Sequence, residues 1–307
     1  MDGKTICSMR KVCCIWILLM PLMVMAQHAF EVGVRGGVAA WSSQTHYVRP
    51  LPHVHAGLEI GYAYHSPQVI GFRAALTLDR HQTSFGKTNY EDSYQTIDVD
   101  NQLMQIDYTI SSLKETYAFW SVGVPVQLSF TWEQFSLALG PKFVFPLAAT
   151  WHETVNHAAL SVYYPDYDNR VYESIPLAAS QDFQMAEKGK LTMPKIQYWL
   201  ASELTYAIPL NTYTRNLNSF LTVGVYVDYC FSGVSIVPNE AESLIMLTDT
   251  RDGIPLQRIL SPVLSSSRQK EALVSHATLL DVGIKIAYTI SPYNPFSRRA
   301  QKCHCNK

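Results

Sequence analysis

The chain has 307 residues, of which 48% are hydrophobic and 16% charged, and its 24 basic and 25 acidic residues leave a net charge of -1. This balance, with no basic block before the C-terminus, argues against nucleic-acid binding. Six cysteines, three of them before residue 15, are too few and too uneven for a disulfide framework in the mature chain.

The N-terminus has the order of a secretory signal. A basic start, an apolar run over residues 12–25 and small residues just before Gln27 predict a signal peptide over residues 1–26. The apolar run is too short for a spanning helix, which needs roughly 20 residues. The rest shows no linker and no change of texture, so we predict one domain over residues 27–290 and a basic periplasmic tail over residues 291–307.

Apolar residues alternate with small or polar ones in eight segments, as strands with two different faces require. The clearest is Val54 to Tyr64, which continues through a short turn to Arg80. Such strands are about eleven residues long, which suits a bilayer crossing at a tilt of roughly 45° rather than the usual strand of about five or six. The predicted strands cover residues 30–41, 54–64, 70–80, 117–130, 135–151, 196–210, 221–231 and 280–290.

Long and short connections alternate along the chain. Polar segments at 82–116, 152–194 and 232–275 are long, whereas the turns at 65–68 and 131–134 are tight. This rhythm predicts an all-β fold, an eight-stranded antiparallel up-and-down transmembrane β-barrel with short periplasmic turns and long extracellular loops. Part of the first long segment is a candidate β-ribbon, because apolar residues at 104, 106, 108 and 110 alternate with polar ones.

The alternative is a soluble, lipocalin-like barrel with an apolar interior. Each apolar row, however, supplies about five large residues, more than the narrow interior of eight strands can hold. A soluble barrel also gives no reason to place every long loop at one end. Aromatic residues near the row ends resemble interfacial girdles, which favours lipid outside: Tyr62, Tyr64, Trp120, Phe130, Trp151, Tyr198, Tyr206 and Tyr288.

The opposite rows are mostly small residues with scattered charges of both signs. A lone charge in a low-dielectric lumen is costly, so these groups are expected to pair. We predict a salt-bridge network that plugs the barrel, with a solute pathway as the alternative. Its predicted members are Arg35, Glu59, Arg73, Lys142, Glu203, Asp228, Asp281 and Lys285.

Catalytic groups are sparse. His53, His55 and His81 fall near the outer ends of the second and third strands with Asp79 close by, which raises the hypothesis of a hydrolase at the rim. No G-x-S-x-G or H-E-x-x-H motif supports it. We therefore predict no enzyme, no catalytic residues, no cofactor and no metal site.

Two segments are candidates for contacts. The stretch from residue 163 to 169 is rich in tyrosine, a residue common in recognition surfaces. The tail at residues 303–305 reads Cys-His-Cys, but three ligands on a tail do not predict a metal site. The predicted surface-loop contacts are Tyr163, Tyr164 and Tyr167.

Short motifs carry a family resemblance. The run Val32 to Gly37, the Val-Pro-Val at 124–126 and the Leu-Gly-Pro-Lys at 139–142 are similar to the PorT-like, OmpA-type outer-membrane barrels of Gram-negative bacteria. The resemblance covers essentially the whole mature chain. It implies an eight-stranded barrel, mostly without defined activity and in some members accessory to protein secretion. No catalytic residue carries over, and this chain departs by lacking a peptidoglycan-binding domain and by continuing about seventeen residues past the last strand.

The sequence therefore predicts a non-enzymatic integral outer-membrane barrel that acts through its surface loops, accessory to secretion or envelope assembly. Its expected surroundings are outer-membrane lipid, with other envelope or secretion proteins as candidate partners and no nucleic acid. We expect a monomer. The alternatives are a protease or lipid-modifying hydrolase at the rim and a narrow solute pore.

Overall fold

The computed structural model describes residues 27–43, 47–65, 70–97, 101–165, 169–170, 183–191, 193–210, 218–233, 243–251, 254–268, 271–274 and 277–291. The predicted signal peptide, Tyr167 and the tail beyond Ser291 lie outside these residues. Within them, no helix is long and apolar enough to cross a membrane.

Eight antiparallel strands form a closed ring in which each pairs with its neighbour in the chain. The last returns to the first, with Phe30 opposite Ile290 and Ser43 opposite Ala277. Closure leaves no open edge, and the predicted eight-stranded barrel is confirmed. The strands are β1 Gln27–Ser43, β2 His53–His65, β3 Ile70–Ile97, β4 Leu103–Trp132, β5 Phe135–Tyr164, β6 Gln197–Leu210, β7 Asn218–Cys230 and β8 Ala277–Ser291.

Shorter elements decorate one end of this ring. A strand at Arg49–Leu51 pairs with β3, and strands at Asn169–Arg170 and Phe183–Lys190 pair with β5. Two small hairpins and one 3-10 turn lie in the connection from β7 to β8. They are Ile245–Arg251 with Ile254–Leu260, Ser267–Arg268 with Glu271–Ala272, and Val263–Ser265.

The apolar rows face outward. On β2, Val54 is 72% exposed and Ile60 62%, whereas the alternating His55 and Glu59 are buried. Along β4 the outward row runs from Trp120 to Phe130. These ten residue steps, at about 3.4 Å each and a tilt of about 45°, span about 25 Å of height. That is the height of the apolar band on transmembrane barrels.

One residue of the predicted aromatic girdle is misplaced. Trp151 faces inward and is 9% exposed. The register explains the error, because Trp120 pairs with Ala148 while the adjacent Ser121 pairs with Pro146. The extra residue is a β-bulge, which reverses the alternation beyond it, and Pro146 lacks the N–H that a regular ladder needs.

The predicted long loops at 82–116 and 152–194 begin much later than expected. Three strands continue without a break far beyond the apolar band, which we call the belt. β3 runs on to Ile97, β4 already begins at Leu103, and β5 runs on to Tyr164. Alternation weakens there because two residues with positive φ, Asn89 and His157, interrupt the pattern. The sequence indicated loops over most of these residues, where the structure has a tall three-stranded sheet. The candidate β-ribbon at residues 104–110 is confirmed as part of that sheet.

The inner face of this sheet carries its own apolar core. Inward residues at the outer ends of seven strands join it, and Trp41 of β1 stacks on Phe85 of β3 with ring centroids 6.2 Å apart. Segments of the β7–β8 connection cover it, and their Leu244, Val263 and Leu264 are buried. We call this assembly the cap; it fills the outer end of the bore.

Candidate functional site: a charged lumen beneath an apolar cap

The half of the lumen nearer the short turns holds a compact ion cluster. Lys285 Nζ lies 2.7 Å from Glu59 Oε1 and 3.1 Å from Glu203 Oε2. Arg73 Nη1 lies 3.0 Å from the same Glu203 oxygen. Arg73 Nη2 contacts Glu59 and lies 3.3 Å from Glu31 Oε1. Two cations thus contact three carboxylates. We call these five residues the lower tier.

A second cluster lies above it. Asp228 Oδ2 accepts hydrogen bonds from Arg35 Nη2 at 2.7 Å and from Lys142 Nζ at 2.9 Å. Lys142 Nζ also donates to Asp79 Oδ2 at 3.0 Å. The Arg35 guanidinium lies 4.0 Å above the centre of the Tyr226 ring. This upper tier meets the lower one where Arg35 Nε approaches Glu59 Oε2 at 3.9 Å.

All eight charged residues that the sequence analysis placed in the lumen are buried there, none more than 6% exposed. Seven contact an opposite charge from a Lys, Arg, Asp or Glu. The eighth, Asp281, lies instead against two histidines. Glu31 and Asp79 join the same clusters but were left out of the predicted set, although both stand in the inward row of their strands.

The suspected rim residues do not form an open catalytic site. His55 and Asp79 are fully buried and His81 is 1% exposed. The imidazoles of His55 and His81 stack 4.5 Å apart, and His55 Nδ1 lies 2.7 Å from the Tyr226 hydroxyl. His81 is stacked in turn on Phe119 of the cap. The rim placement was therefore wrong for His55, Asp79 and His81, because the cap extends beyond them and encloses them. His53, at the start of β2, is half-buried.

The cap is anchored by polar contacts as well as apolar packing. The N–H of Val263 donates to both carboxyl oxygens of Glu115 at 3.1 Å, and the N–H of Leu264 donates to the Tyr117 hydroxyl at 3.3 Å. Burial raises the pKa of Glu115 to about 8. Burial and the nearby Glu115 raise the pKa of Glu153 well above its ordinary value.

The part of the β3–β4–β5 sheet beyond the belt, with the short strands that pair with it, is called the outer sheet. An open cleft of about 360 Å³ lies on it. Its charged residues are Glu91, Asp92, Asp107 and Arg268. Asp92 is held in place by hydroxyl groups of Tyr90 and Tyr108, each at 3.2 Å. The remaining lining is Ser93, Tyr108, Thr109, Ala159, Leu160 and Ser161.

The predicted tyrosine contacts are only partly described. Tyr163 and Tyr164 lie at the end of β5 rather than in a loop, and both are half-buried. Tyr164 packs against the cap core. Tyr167 lies outside the described residues.

A closed ring of eight strands, an apolar band outside and ion pairs inside define the class: this is a transmembrane β-barrel. Comparison with solved structures finds barrels that align over most of this chain, with low sequence identity and low TM-scores. Ail, the attachment invasion locus protein of Yersinia pestis, crystallised with the heparin analogue sucrose octasulfate, is 10% identical with a TM-score of 0.27, over 86% of this chain and 98% of Ail.

Neisserial surface protein A is 11% identical with a TM-score of 0.30, over 84% of this chain and 97% of its own. The translocator domain of the autotransporter NalP from Neisseria meningitidis is 10% identical with a TM-score of 0.19, over 92% of this chain and 96% of that domain. No family model matches the sequence, and no curated protein matches it either. The architecture therefore rests on the strand register, and the resemblance to PorT-like barrels stays a prediction.

Proposed function

We propose that this protein is an integral outer-membrane barrel of a Gram-negative bacterium, exported by residues 1–26. Its role is non-enzymatic: it presents the outer sheet and cleft to another envelope or secretion component. The observation that carries this proposal is the tall sheet of β3, β4 and β5. Spanning the membrane needs only the belt, so the extra residues form a rigid surface outside it.

Two alternatives are less well supported. A solute pore needs an open bore, whereas in the described part of the chain ion pairs fill the lumen and the cap covers its outer end. A hydrolase at the rim needs its histidine and carboxylate open to substrate, whereas His55 and Asp79 are buried.

The cleft suggests the chemistry of the partner. Asp92 is 6% exposed and lies 4.0 Å from the guanidinium of Arg268, which leaves Glu91 and Asp107 as the accessible charges of the cleft. A partner with basic side chains therefore fits better than an acidic one. Tyr108, Ser93 and Thr109 add hydroxyl groups that adapt to different hydrogen-bonding partners. We propose a basic protein segment as the bound group.

Site-specific photo-crosslinking in intact cells tests the proposal. A photoreactive residue in place of Thr109, which is exposed in the cleft, should form a discrete protein adduct, while one in place of Val225 on the lipid face should not. The adduct should disappear when Glu91→Lys and Asp107→Lys are added. Absence of a protein adduct at Thr109, or an adduct that survives the charge reversal, would contradict the proposal.

A further inference from the structure

The lumen carries more negative than positive charge. Among the described residues, four cations face six carboxylates, which leaves two negative charges unmatched. These residues are Arg35, Arg73, Lys142 and Lys285 against Glu31, Glu59, Asp79, Glu203, Asp228 and Asp281. Unpaired charge in a closed, low-dielectric space is costly, so a further cation is expected there.

The excess is concentrated at one place. Asp281 has no Lys or Arg partner among the lumen residues that the structure describes. Its Oδ2 instead lies 2.9 Å from His55 Nδ1 and 3.7 Å from His81 Nδ1. His55 Nε2 in turn lies 3.4 Å from Asp79 Oδ1. Two carboxylates and two imidazoles thus converge directly beneath the cap.

In Asp79, Asp281 and His55, one polar atom of the side chain is hydrogen-bonded and the other is not. Asp79 Oδ2 accepts from Lys142 at 3.0 Å and from Thr77 at 2.7 Å, and Asp281 Oδ1 accepts from Tyr226 at 3.3 Å. Within the described chain, the remaining atoms of these groups and Nδ1 of His81 make no aligned hydrogen bond, although Asp281 Oδ2 lies 2.9 Å from His55 Nδ1. They are His55 Nε2, Asp79 Oδ1, His81 Nδ1 and Asp281 Oδ2.

We propose that His55, Asp79 and His81 bind one divalent transition-metal ion such as Zn²⁺, with the carboxylate of Asp281 beside them as a further balancing charge. Imidazole nitrogens with carboxylate oxygens are a ligand set that Zn²⁺ accepts. One divalent ion also offsets the two unmatched negative charges. The site joins β2, β3 and β8 at the base of the cap.

The spacing is compatible with this role. One donor atom from each of His55, Asp79 and His81 lies within 4.8 Å of the others. Ligands at about 2.0–2.1 Å from a tetrahedral ion are about 3.4 Å apart, so the donors have to approach by up to about 1.4 Å. The stacked imidazoles of His55 and His81 also have to turn so that both rings point at the ion. The bonds to Lys142, Thr77 and Tyr226 orient the ligands from behind, as partners of metal ligands commonly do.

Metal content tests the site directly. The full mature chain, folded in detergent without a polyhistidine tag, is loaded with Zn²⁺, passed through gel filtration and analysed for zinc. We expect about one zinc per chain, with nitrogen and oxygen ligands at about 2.0–2.1 Å in X-ray absorption. His55→Gln with His81→Gln should weaken zinc binding by more than about 100-fold, and Tyr226→Phe by about 10-fold, since losing a partner behind the ligands costs 10–100-fold.

Three controls make the outcome decisive. Gel mobility before and after boiling establishes that each variant is a folded barrel, and glutamine nearly preserves the size and polarity of histidine. His152→Gln with His157→Gln removes two exposed histidines and should leave binding unchanged. Cys303→Ser with Cys305→Ser should also leave it unchanged. Substoichiometric zinc, zinc retained in the folded His55/His81 variant, or zinc lost with the tail cysteines would overturn the proposal.

Discussion

Glu115 and Glu153 are register partners on β4 and β5, and both carboxyl groups are fully buried beneath the cap. Two carboxylates so close and so dry cannot both ionise without a large cost. The proton that at least one of them keeps is therefore part of the folded structure. Glu115 also receives the Val263 N–H, which couples its charge to the docking of the segment that covers the cap.

The first prediction is that docking of the cap weakens as pH rises. The pKa of Glu115 is raised from 4.5 to about 8 in the folded protein, so Glu115 keeps a proton there that it releases when the covering segment opens and water reaches it. Stability is then fully present below about pH 4.5 and falls by up to about 1.4 kcal/mol per pH unit until about pH 8. Hydrogen exchange at Val263 and Leu264, expressed as opening free energy, should follow this slope.

In the matched variant, Glu115→Gln with Glu153→Gln, neither group titrates and the slope should disappear. An opening free energy that is constant with pH in the unmodified protein would contradict the shared proton. A slope of equal size in the double glutamine variant would assign the titration to other groups.

The second prediction compares two adjacent glycines. A Cβ on Gly37 would overlap the carbonyl oxygen of Val282 and lie 2.6 Å from Gly283 Cα and 2.8 Å from the Tyr226 hydroxyl, whereas a Cβ on Gly36 meets nothing closer than 3.9 Å. Gly37→Ala should therefore cost about 1–3 kcal/mol, the usual range for overpacking. Gly36→Ala should be nearly neutral. Equal stabilities in urea unfolding from lipid vesicles would argue against this close strand contact.

The third prediction concerns the upper ion cluster. Lys142→Met removes the only Lys or Arg within 4.0 Å of Asp79 among the described residues and one of two on Asp228. Breaking a buried pair leaves uncompensated charge and costs about 3–5 kcal/mol. Lys188→Met, at an exposed position on the outer sheet, serves as the control and should change stability by less than 0.5 kcal/mol or so. Similar losses in both variants would show that the lumen network contributes little.

The fourth prediction tests whether the outward row of β7 lies in the lipid. Val225 is 53% exposed in the middle of the outward row of β7, between Leu221 and Tyr229. Arginine there should cost about 2–4 kcal/mol, the range measured at the midplane of other barrels. Gln95→Arg, exposed near the tip of the outer sheet, should be neutral. Tolerance of both substitutions would place Val225 in water.

The barrel could be predicted because alternation with period two is a local property. In β1 and β2 the outward and inward rows can be read directly from Val32, Glu31, Ile60 and Glu59. Alternation stops being reliable at irregularities. The bulge beside Pro146 turned Trp151 inward, and the positive φ of Asn89 and His157 made most of a continuous sheet resemble loops. Only the alternation at residues 104–110 indicated the β-ribbon that the structure contains there.

The histidine and carboxylate cluster could not be assembled from sequence. Its members come from three strands, and Asp281 is at least 200 residues from His55 and His81. Only the registers between β1, β2, β3 and β8 place them at one height. The cap was hidden for the same reason, since Val263 meets Glu115 across 148 residues of sequence.

The central claim is that the outward rows face hydrocarbon, and solubility without detergent tests it most directly. Protein lacking residues 1–26 should aggregate in plain buffer, yet fold in lipid vesicles and migrate differently on gels before and after boiling. A folded, monodisperse monomer in buffer alone, with the same mobility before and after boiling, would contradict the account.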